Sequence, residues 1–108
     1  MGEENINVAM GLITGAGDSR SYCMEAIDLA REGKFDEARV ALDSAVKGMI
    51  ATHEVQTDLI REEMLGEAQP VSLLMVHAQD HLNLAIIMRD IAEEMIRIYE
   101  RLNKLEEK

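Results

Sequence analysis

Three ionisable side chains lie close together in an otherwise apolar stretch of the sequence. They are His77, Asp80 and His81. Because a helix turns by about 100° per residue, these two imidazoles and one carboxylate would project from roughly one third of its circumference. Each group costs free energy when it loses water on an apolar surface, so packing alone gives little reason to place all three there. We therefore interpret this cluster as the candidate functional site.

Two kinds of chemistry fit the cluster. A neutral imidazole can be a nucleophile towards a phosphoryl group if one ring nitrogen is exposed and a neighbour fixes the tautomer. Alternatively, His-x-x-Asp-His resembles an inverted zinc motif with an acidic residue between two histidine ligands. The zinc hypothesis also requires a third ligand, an open coordination position and a cleft, for which the chain has no spare segment. The sequence therefore favours the nucleophile.

Two other reactive side chains are predicted to be structural. His53 and Glu54 offer further metal ligands, but His53 shares a helical stripe with apolar residues. We therefore expect His53 to be a hydrogen-bonded interior residue. Cys23 is followed by Ala26 and Ile27 at helical spacing, which predicts an inert thiol in the core.

Helix-breaking residues divide the chain into three segments that could position the cluster. The breaks lie around Gly33 and between Gly66 and Pro70. The segments run from Asn5 to Arg31, from Phe35 to Leu65 and from Val71 to Lys104, each with helical periodicity. Since short joints make consecutive helices antiparallel, the sequence predicts an all-α domain over residues 1–108. Its architecture is an antiparallel three-helix bundle, with frayed ends at about residues 1–4 and 105–108.

Each segment carries a seam of apolar or small residues with alternating spacings of three and four. The predicted seams are Val8, Leu12, Gly15, Ser19, Tyr22, Ala26 and Ala30 in the first segment; Ala38, Leu42, Ala45, Met49, Thr52, Gln56 and Leu59 in the second; and Leu74, Ala78, His81, Ala85, Met88, Ala92, Met95, Tyr99 and Leu102 in the third. Gly11, Gly15 and Gly17 are predicted to let two helices approach closely.

The third segment also carries a second stripe beside its seam. This outer stripe consists of Leu73, His77, Asp80, Leu84, Ile87 and Ile91. Met75, Leu82 and Ile86 make the first half of the segment apolar nearly all round. A bundle of three helices cannot bury every side of one helix, so a second packing surface must come from other copies of the chain. The pattern therefore predicts a homo-oligomer.

Composition and charge exclude several classes of partner. The net charge is −10, which disfavours nucleic acid and anionic membrane surfaces. No apolar run reaches the roughly 18 residues of a membrane span, and the first residues lack the features of a signal peptide. A lone Cys23 cannot form an internal disulfide. We therefore expect a cytoplasmic protein without direct membrane insertion.

Three motifs together resemble one known family. They are the run from Met75 to Leu82, which contains His-Ala-Gln-Asp-His-Leu, and the stretches from Gly17 to Ser21 and from Ala51 to Thr57. They closely resemble the IIA component of the lactose/cellobiose (N,N'-diacetylchitobiose) class of the bacterial sugar phosphotransferase system. The resemblance extends roughly from Met10 to Tyr99, with matching helix lengths and breaks.

The resemblance implies a phosphohistidine carrier, which is a phosphotransferase system component. His77 matches the histidine that accepts phosphate from the carrier HPr and passes it to the IIB component. His81 is then the supporting imidazole. Gln79 is expected to support the site through polar contacts at the rim, and its alternative is a solvated spacer. Asp80 matches the residue that, in three copies about a trimer axis, binds a divalent metal, for which Mg²⁺ is our first choice. The alternative for Asp80 is a buried carboxylate paired with His81 of its own helix, without a metal. The implied architecture is a homotrimer of three-helix protomers.

Two positions bear on the branch of the family. Ala78 resembles the cellobiose, chitobiose or lichenan branch, since the lactose branch usually has glycine there, and this favours uptake of a β-linked disaccharide of that type. Members of the family commonly have methionine after His-Leu, whereas this chain has Asn83. We expect this difference to affect local packing more than phosphoryl transfer. The alternative function is a helical metal-binding or scaffold protein that uses the cluster without phosphoryl transfer.

Overall fold

The chain folds into three long helices joined by two short turns. The computed structural model describes residues 2–68 and 70–107. Helix α1 spans Glu3–Arg31, α2 spans Phe35–Met64 and α3 spans Leu73–Glu106. The predicted all-α three-helix architecture is confirmed, and every helix bound lies within two residues of its prediction. Glu3 and Glu106 are helical although the ends were expected to fray; Met1 and Lys108 lie outside the described residues.

Two glycines end the first two helices in the same way. Gly33 and Gly66 have φ angles of 81° and 78°, which residues with a Cβ rarely adopt. After α1, the Gly33 N–H donates to the Ala30 carbonyl at 3.0 Å and the Lys34 N–H donates to the Leu29 carbonyl at 2.9 Å. This is the Schellman pattern, which the turn at Gly66 repeats. The two turns therefore have specific local causes in the sequence.

A serine cap sets the beginning of α3. Ser72 has extended backbone, and its Oγ accepts a hydrogen bond from the Met75 N–H at 3.1 Å. The cap satisfies a backbone donor that a helix start leaves free, so α3 begins at Leu73 and not at the predicted Val71. This boundary places His77 in the second turn of α3.

The turns determine how the helices run relative to one another. Helix α2 is antiparallel to both neighbours, so α1 and α3 are parallel. Leu12 accordingly shares a buried cluster with Ala78, and Ile27 shares one with Ile96 further along both helices. The bundle is an elongated rod with extents of 61 × 22 × 19 Å. Among the described residues, no helix has the length and hydropathy that crossing a bilayer requires.

The rod has two buried clusters of unequal size. The closed-end cluster comprises Cys23, Ala26, Ile27, Ala30, Ala38, Ala41, Leu42, Ala45, Ala92 and Ile96. The site-end cluster comprises Ala9, Leu12 and Ala78. The predicted seams of α2 and α3 supply most of their buried residues, although Leu102 is exposed and Leu82 and Ile96 are buried outside the predicted seam.

The buried face of α1 differs from its predicted seam. Tyr22 is 44% exposed, whereas Cys23 beside it is fully buried. Ala9 and Ala16 are buried too, so the buried face is shifted towards the smallest side chains, which allow the neighbouring helices to come close. The prediction that Cys23 lies in the core is confirmed, and this burial raises the pKa of its thiol.

The three glycines of α1 do not share one role. A Cβ added to Gly15 would lie 2.3 Å from Thr52 Oγ1, so this glycine permits the close crossing of α1 and α2, as predicted. Cβ atoms added to Gly11 and Gly17 would meet nothing within 4 Å. The prediction of close approach is therefore wrong for these two. Near Gly15, the Ser19 hydroxyl donates to the Ala45 carbonyl at 2.8 Å and ties the same two helices together.

Candidate functional site

The predicted cluster lies near the beginning of α3, at the end of the rod that has the smaller buried cluster. Ala78 and Leu82 are fully buried and anchor this part of α3 in the bundle. His77 and Asp80 are exposed on the opposite side, and His81 is partly buried between them and the core. The single-turn spacing brings His77 and His81 together, with the first imidazole exposed and the second partly buried, whereas Asp80 shares the exposed side of α3 with His77.

The two imidazoles of the cluster contact each other directly. His81 Nε2 lies 3.1 Å from His77 Nε2, which is hydrogen-bonding distance. The rings are perpendicular, with an interplanar angle of 87° and centroids 4.6 Å apart. One of the two nitrogens must donate and the other accept, so the contact couples the tautomers of the pair. If His81 donates, His77 Nε2 presents an unprotonated nitrogen, which is what a nucleophile requires.

A groove between α1 and α3 adjoins this pair. This α1–α3 groove has a volume of about 700 Å³ and is lined by Ile13, Gly17, Arg20, Ser21, Met24, Glu25, Asp28, Leu29, Glu32, His81 and Met88. His81 Nδ1 and Arg20 Nε are both buried and without a hydrogen-bond partner among the described residues. Arg20 was not predicted as a site residue, because α1 and α3 are far apart in sequence. The only signal was its place in the Gly17–Ser21 motif.

Gln79 lies on a different side of α3 from His77. Its Oε1 accepts a hydrogen bond from Gln56 Nε2 at 2.6 Å, and its amide nitrogen lies 3.6 Å from Met75 Sδ. Two positions along a helix correspond to about 200°, so Gln79 faces α2 while His77 faces solvent. Within one chain, Gln79 therefore links α2 to α3, and its support for the site stays a prediction.

Asp80 lies on the outer stripe, which is exposed along its whole length. Leu73 is 86% exposed, and Leu84, Ile87 and Ile91 are each about half exposed. Asp80, in the middle of this stripe, offers one carboxylate as a possible metal ligand. The described residues contain no group of three or more His, Cys, Asp or Glu side chains that could hold a metal ion. The described residues of one chain therefore supply Asp80 as a single candidate ligand, and its metal-binding role stays a prediction.

His53 does not occupy the position that was predicted for it. It is exposed on α2, so the prediction of a hydrogen-bonded interior histidine is wrong for this chain. Ile50 and Ile60 are about half exposed and Met64 is 82% exposed, because α2 turns this apolar stripe away from α1 and α3. An apolar stripe does not distinguish a face that packs within the chain from one that is left outside.

Comparisons with known proteins agree on one family. The model of the family described as "PTS system, Lactose/Cellobiose specific IIA subunit" matches residues 7–100. The lichenan-specific phosphotransferase enzyme IIA component of Bacillus subtilis (strain 168) is 41% identical over 104 residues, which cover 96% of this chain and 94% of that protein.

Solved structures give the same result. The cellobiose-specific enzyme IIA from Bacillus anthracis matches with a TM-score of 0.91 and 38% identity, over 96% of this chain and 94% of that chain. A IIA(chitobiose)–HPr complex of the Escherichia coli phosphotransferase system matches with a TM-score of 0.81 and 35% identity, over 94% of this chain and 99% of that chain.

Proposed function

Because this chain belongs to the family of lactose/cellobiose-specific IIA subunits of the sugar phosphotransferase system, we propose that His77 is the residue that carries its phosphoryl group. The observation that supports this choice is the contact between His77 Nε2 and His81 Nε2 at 3.1 Å. His77 is exposed and can meet a donor protein, whereas His81 is partly buried and suits a supporting role. This assignment also explains why two imidazoles stand one turn apart.

The geometry suggests how the transfer proceeds. With His81 as the Nε2–H tautomer, the lone pair on His77 Nε2 attacks the phosphorus atom of the donor. A nitrogen–phosphorus bond forms at His77, and the bond between phosphorus and the donor breaks. The His81 Nε2–H then donates to a phosphoryl oxygen in place of His77 Nε2, which stabilises the added negative charge. Transfer to the next protein reverses these steps.

The partners follow from the family and from the charge of the chain. We propose that HPr donates the phosphoryl group, because a similar chain occurs in the solved IIA(chitobiose)–HPr complex. The IIB component of the same transporter is the proposed acceptor. A net charge of −10 suits docking onto proteins with basic patches. We place this relay in the cytoplasm, where a free cysteine such as Cys23 is common.

The transported sugar is proposed to be a β-linked disaccharide of the cellobiose, chitobiose or lichenan type. Ala78 supports this branch, and the similar proteins cited above carry lichenan, cellobiose and chitobiose in their names. Ala78 is fully buried against α1, so it acts on packing and does not contact a sugar. The proposal therefore concerns the transporter to which the chain belongs.

We further propose a homotrimer in which the apolar residues of the outer stripe and Asp80 form the contact between protomers, while His77 stays accessible to its partner proteins. The exposed side chains of Leu73, Leu84, Ile87 and Ile91 provide the apolar surface that such a contact needs. Copies of Asp80 would then meet near the symmetry axis, where carboxylates repel unless they take up protons or share a cation. Mg²⁺ bound by Asp80 from each copy would relieve this repulsion, since carboxylate oxygens are its usual protein ligands.

The proposed function is tested by incubating the chain with phospho-HPr. We expect the wild type to take up one phosphoryl group per chain and His77→Ala to take up none. His81→Ala should still be labelled, but more slowly, because the nucleophile is present without its support. Label retained in His77→Ala, or lost only in His81→Ala, would contradict the assignment. No labelling of the wild type would favour the alternative of a helical metal-binding or scaffold protein.

A further inference from the structure

Arg20 differs from the other arginines in what surrounds it. Arg31, Arg39, Arg61, Arg89 and Arg97 each form an ion pair with a carboxylate. Arg101 is exposed on α3, away from the site. Arg20 is partly buried, forms no ion pair with any described residue, and has its Nε–H buried without a hydrogen-bond partner. A buried donor that is left unpaired costs stability, so this placement calls for an explanation.

The complementary atom lies in the same groove. His81 Nδ1 is the other buried side-chain nitrogen without a partner among the described residues. An arginine Nε always carries a proton, whereas the Nδ1 of a neutral histidine accepts a hydrogen bond when Nε2 carries the proton. One unpaired donor and one potential acceptor therefore line the α1–α3 groove together.

The direction of the helices brings Arg20 towards His81. Helix side chains lean towards the N-terminus of their helix, so Arg20 inclines from its Cα towards the N-terminal end of α1. Because α1 and α3 are parallel, this is the direction in which His81 lies, near the level where Leu12 packs with Ala78. Arg20 and His81 both line the α1–α3 groove.

We propose that Arg20 is a positioning residue for phosphoryl transfer. The proposed donor is its Nε–H and the proposed acceptor is His81 Nδ1, the two buried nitrogens of residues lining the α1–α3 groove that have no other partner among the described residues. This link holds His81 as the Nε2–H tautomer, so that its proton points at His77 Nε2 and later at the phosphoryl group. The inference rests on the proposed function of His77, and it concerns a residue that does not itself touch the phosphoryl group.

The test compares two uncharged substitutions of similar reach, of which only one can donate a hydrogen bond at the position of the arginine Nε. Arg20→Gln places an amide nitrogen at the same number of bonds from Cα as the arginine Nε, and it removes the charge. Arg20→Met keeps a side chain of the same reach without any donor. The tautomer of His81 is read from its ring ¹⁵N shifts in long-range ¹H–¹⁵N spectra of unphosphorylated protein, at one fixed pH where the imidazole is neutral.

We expect the wild type and Arg20→Gln to show the Nε2–H tautomer and Arg20→Met to show a mixture. The rate of phosphoryl transfer at saturating phospho-HPr should fall about tenfold in Arg20→Met, which corresponds to the loss of one hydrogen bond, and should be mostly retained in Arg20→Gln. Arg101→Met is the matched control, because it removes the same charge from an exposed position, and it should change neither measurement.

Two results would overturn the proposal. The first is that Arg20→Met keeps both the wild-type tautomer and the wild-type transfer rate. The second is that Arg20→Gln loses as much rate as Arg20→Met, which would mean that the charge of Arg20, and not its hydrogen bond, supports the transfer. Failure of the underlying function gives a different result. In that case the wild type is not phosphorylated at His77, while the tautomer spectra still decide the role of Arg20.

Discussion

The two ends of the bundle bury their apolar residues differently. At the closed end, all three helices contribute to the closed-end cluster, and Arg39 of α2 bridges Glu93 and Glu100 of α3. At the site end, the site-end cluster consists of small or medium side chains, and the outer stripe remains exposed beside it. The closed end therefore buries most of the core within one chain, and the site end leaves the apolar outer stripe exposed.

The candidate functional site lies at the end of the rod that has the smaller buried cluster. His77 must stay accessible to a donor protein, whereas the apolar residues of the same outer stripe are the ones proposed to be covered in the trimer. Both belong to the end where packing within the protomer is least extensive, so the proposed assembly and the proposed phosphoryl transfer would use one stripe of α3. The comparison makes four predictions, in order of decreasing effect.

The largest effect is expected from removing a core side chain at the closed end. Ile96 is fully buried, so Ile96→Ala should lower the free energy of unfolding by about 3 kcal/mol. The matched control is Ile87→Ala, which removes the same atoms from a residue that is 55% exposed. Urea unfolding at a protein concentration low enough to disfavour self-association measures the free energy of unfolding of both variants. An equal loss in the two variants would show that the outer stripe packs within the protomer and would contradict the comparison.

A smaller effect is expected where α1 and α2 cross between the two ends. Gly15→Ala places a methyl group against Thr52 Oγ1 and should cost about 2 kcal/mol through overpacking. Gly11→Ala, which meets open space on the same helix, should instead stabilise by roughly 0.5–1 kcal/mol, because alanine favours helix. Thermal unfolding of the two variants measures this difference in stability. If Gly15→Ala is as stable as Gly11→Ala, the crossing is not as close as the structure indicates.

These regions also show what the sequence alone can predict. The helix ends follow local signals at Gly33, Gly66 and Ser72, which act within a few residues and are visible in the sequence. The pairing of His77 with His81 is equally local, because one helical turn brings the two residues together.

Features that depend on packing between helices were predicted less well. The buried face of α1 consists mostly of alanine, so its pattern is weak beside a large residue such as Tyr22, which proved to be exposed. His53 was misplaced because the apolar stripe around it faces outward. Arg20 meets the groove beside His81 only through the packing of α1 against α3. In each case, the missing information was which helix face meets which neighbour.

A substitution at Asp80 tests whether the site end is held together in a trimer by a shared metal ion. Asp80→Leu removes the carboxylates that are proposed to meet in the trimer, and it extends the apolar outer stripe. Replacing buried charges by apolar residues is often stabilising, and we expect a gain of about 1 kcal/mol with a trimer that persists without metal. The wild-type trimer should loosen in a chelator, as measured by sedimentation equilibrium and metal analysis. A wild-type trimer that contains no ion and withstands exhaustive chelation would end the metal hypothesis.

The smallest effect is expected from the ion pairs at the closed end. Arg39 Nη2 lies 2.8 Å from Glu100, and Nη1 contacts Glu93, but all three side chains are more than 30% exposed. Water competes for such groups, so Arg39→Met, which keeps the apolar stem, should lower the free energy of unfolding by at most about 1 kcal/mol. The loss should shrink further in high salt, because exposed charges are screened. A loss as large as that of Ile96→Ala, unchanged by salt, would mean that charge pairing and not apolar burial holds the closed end together.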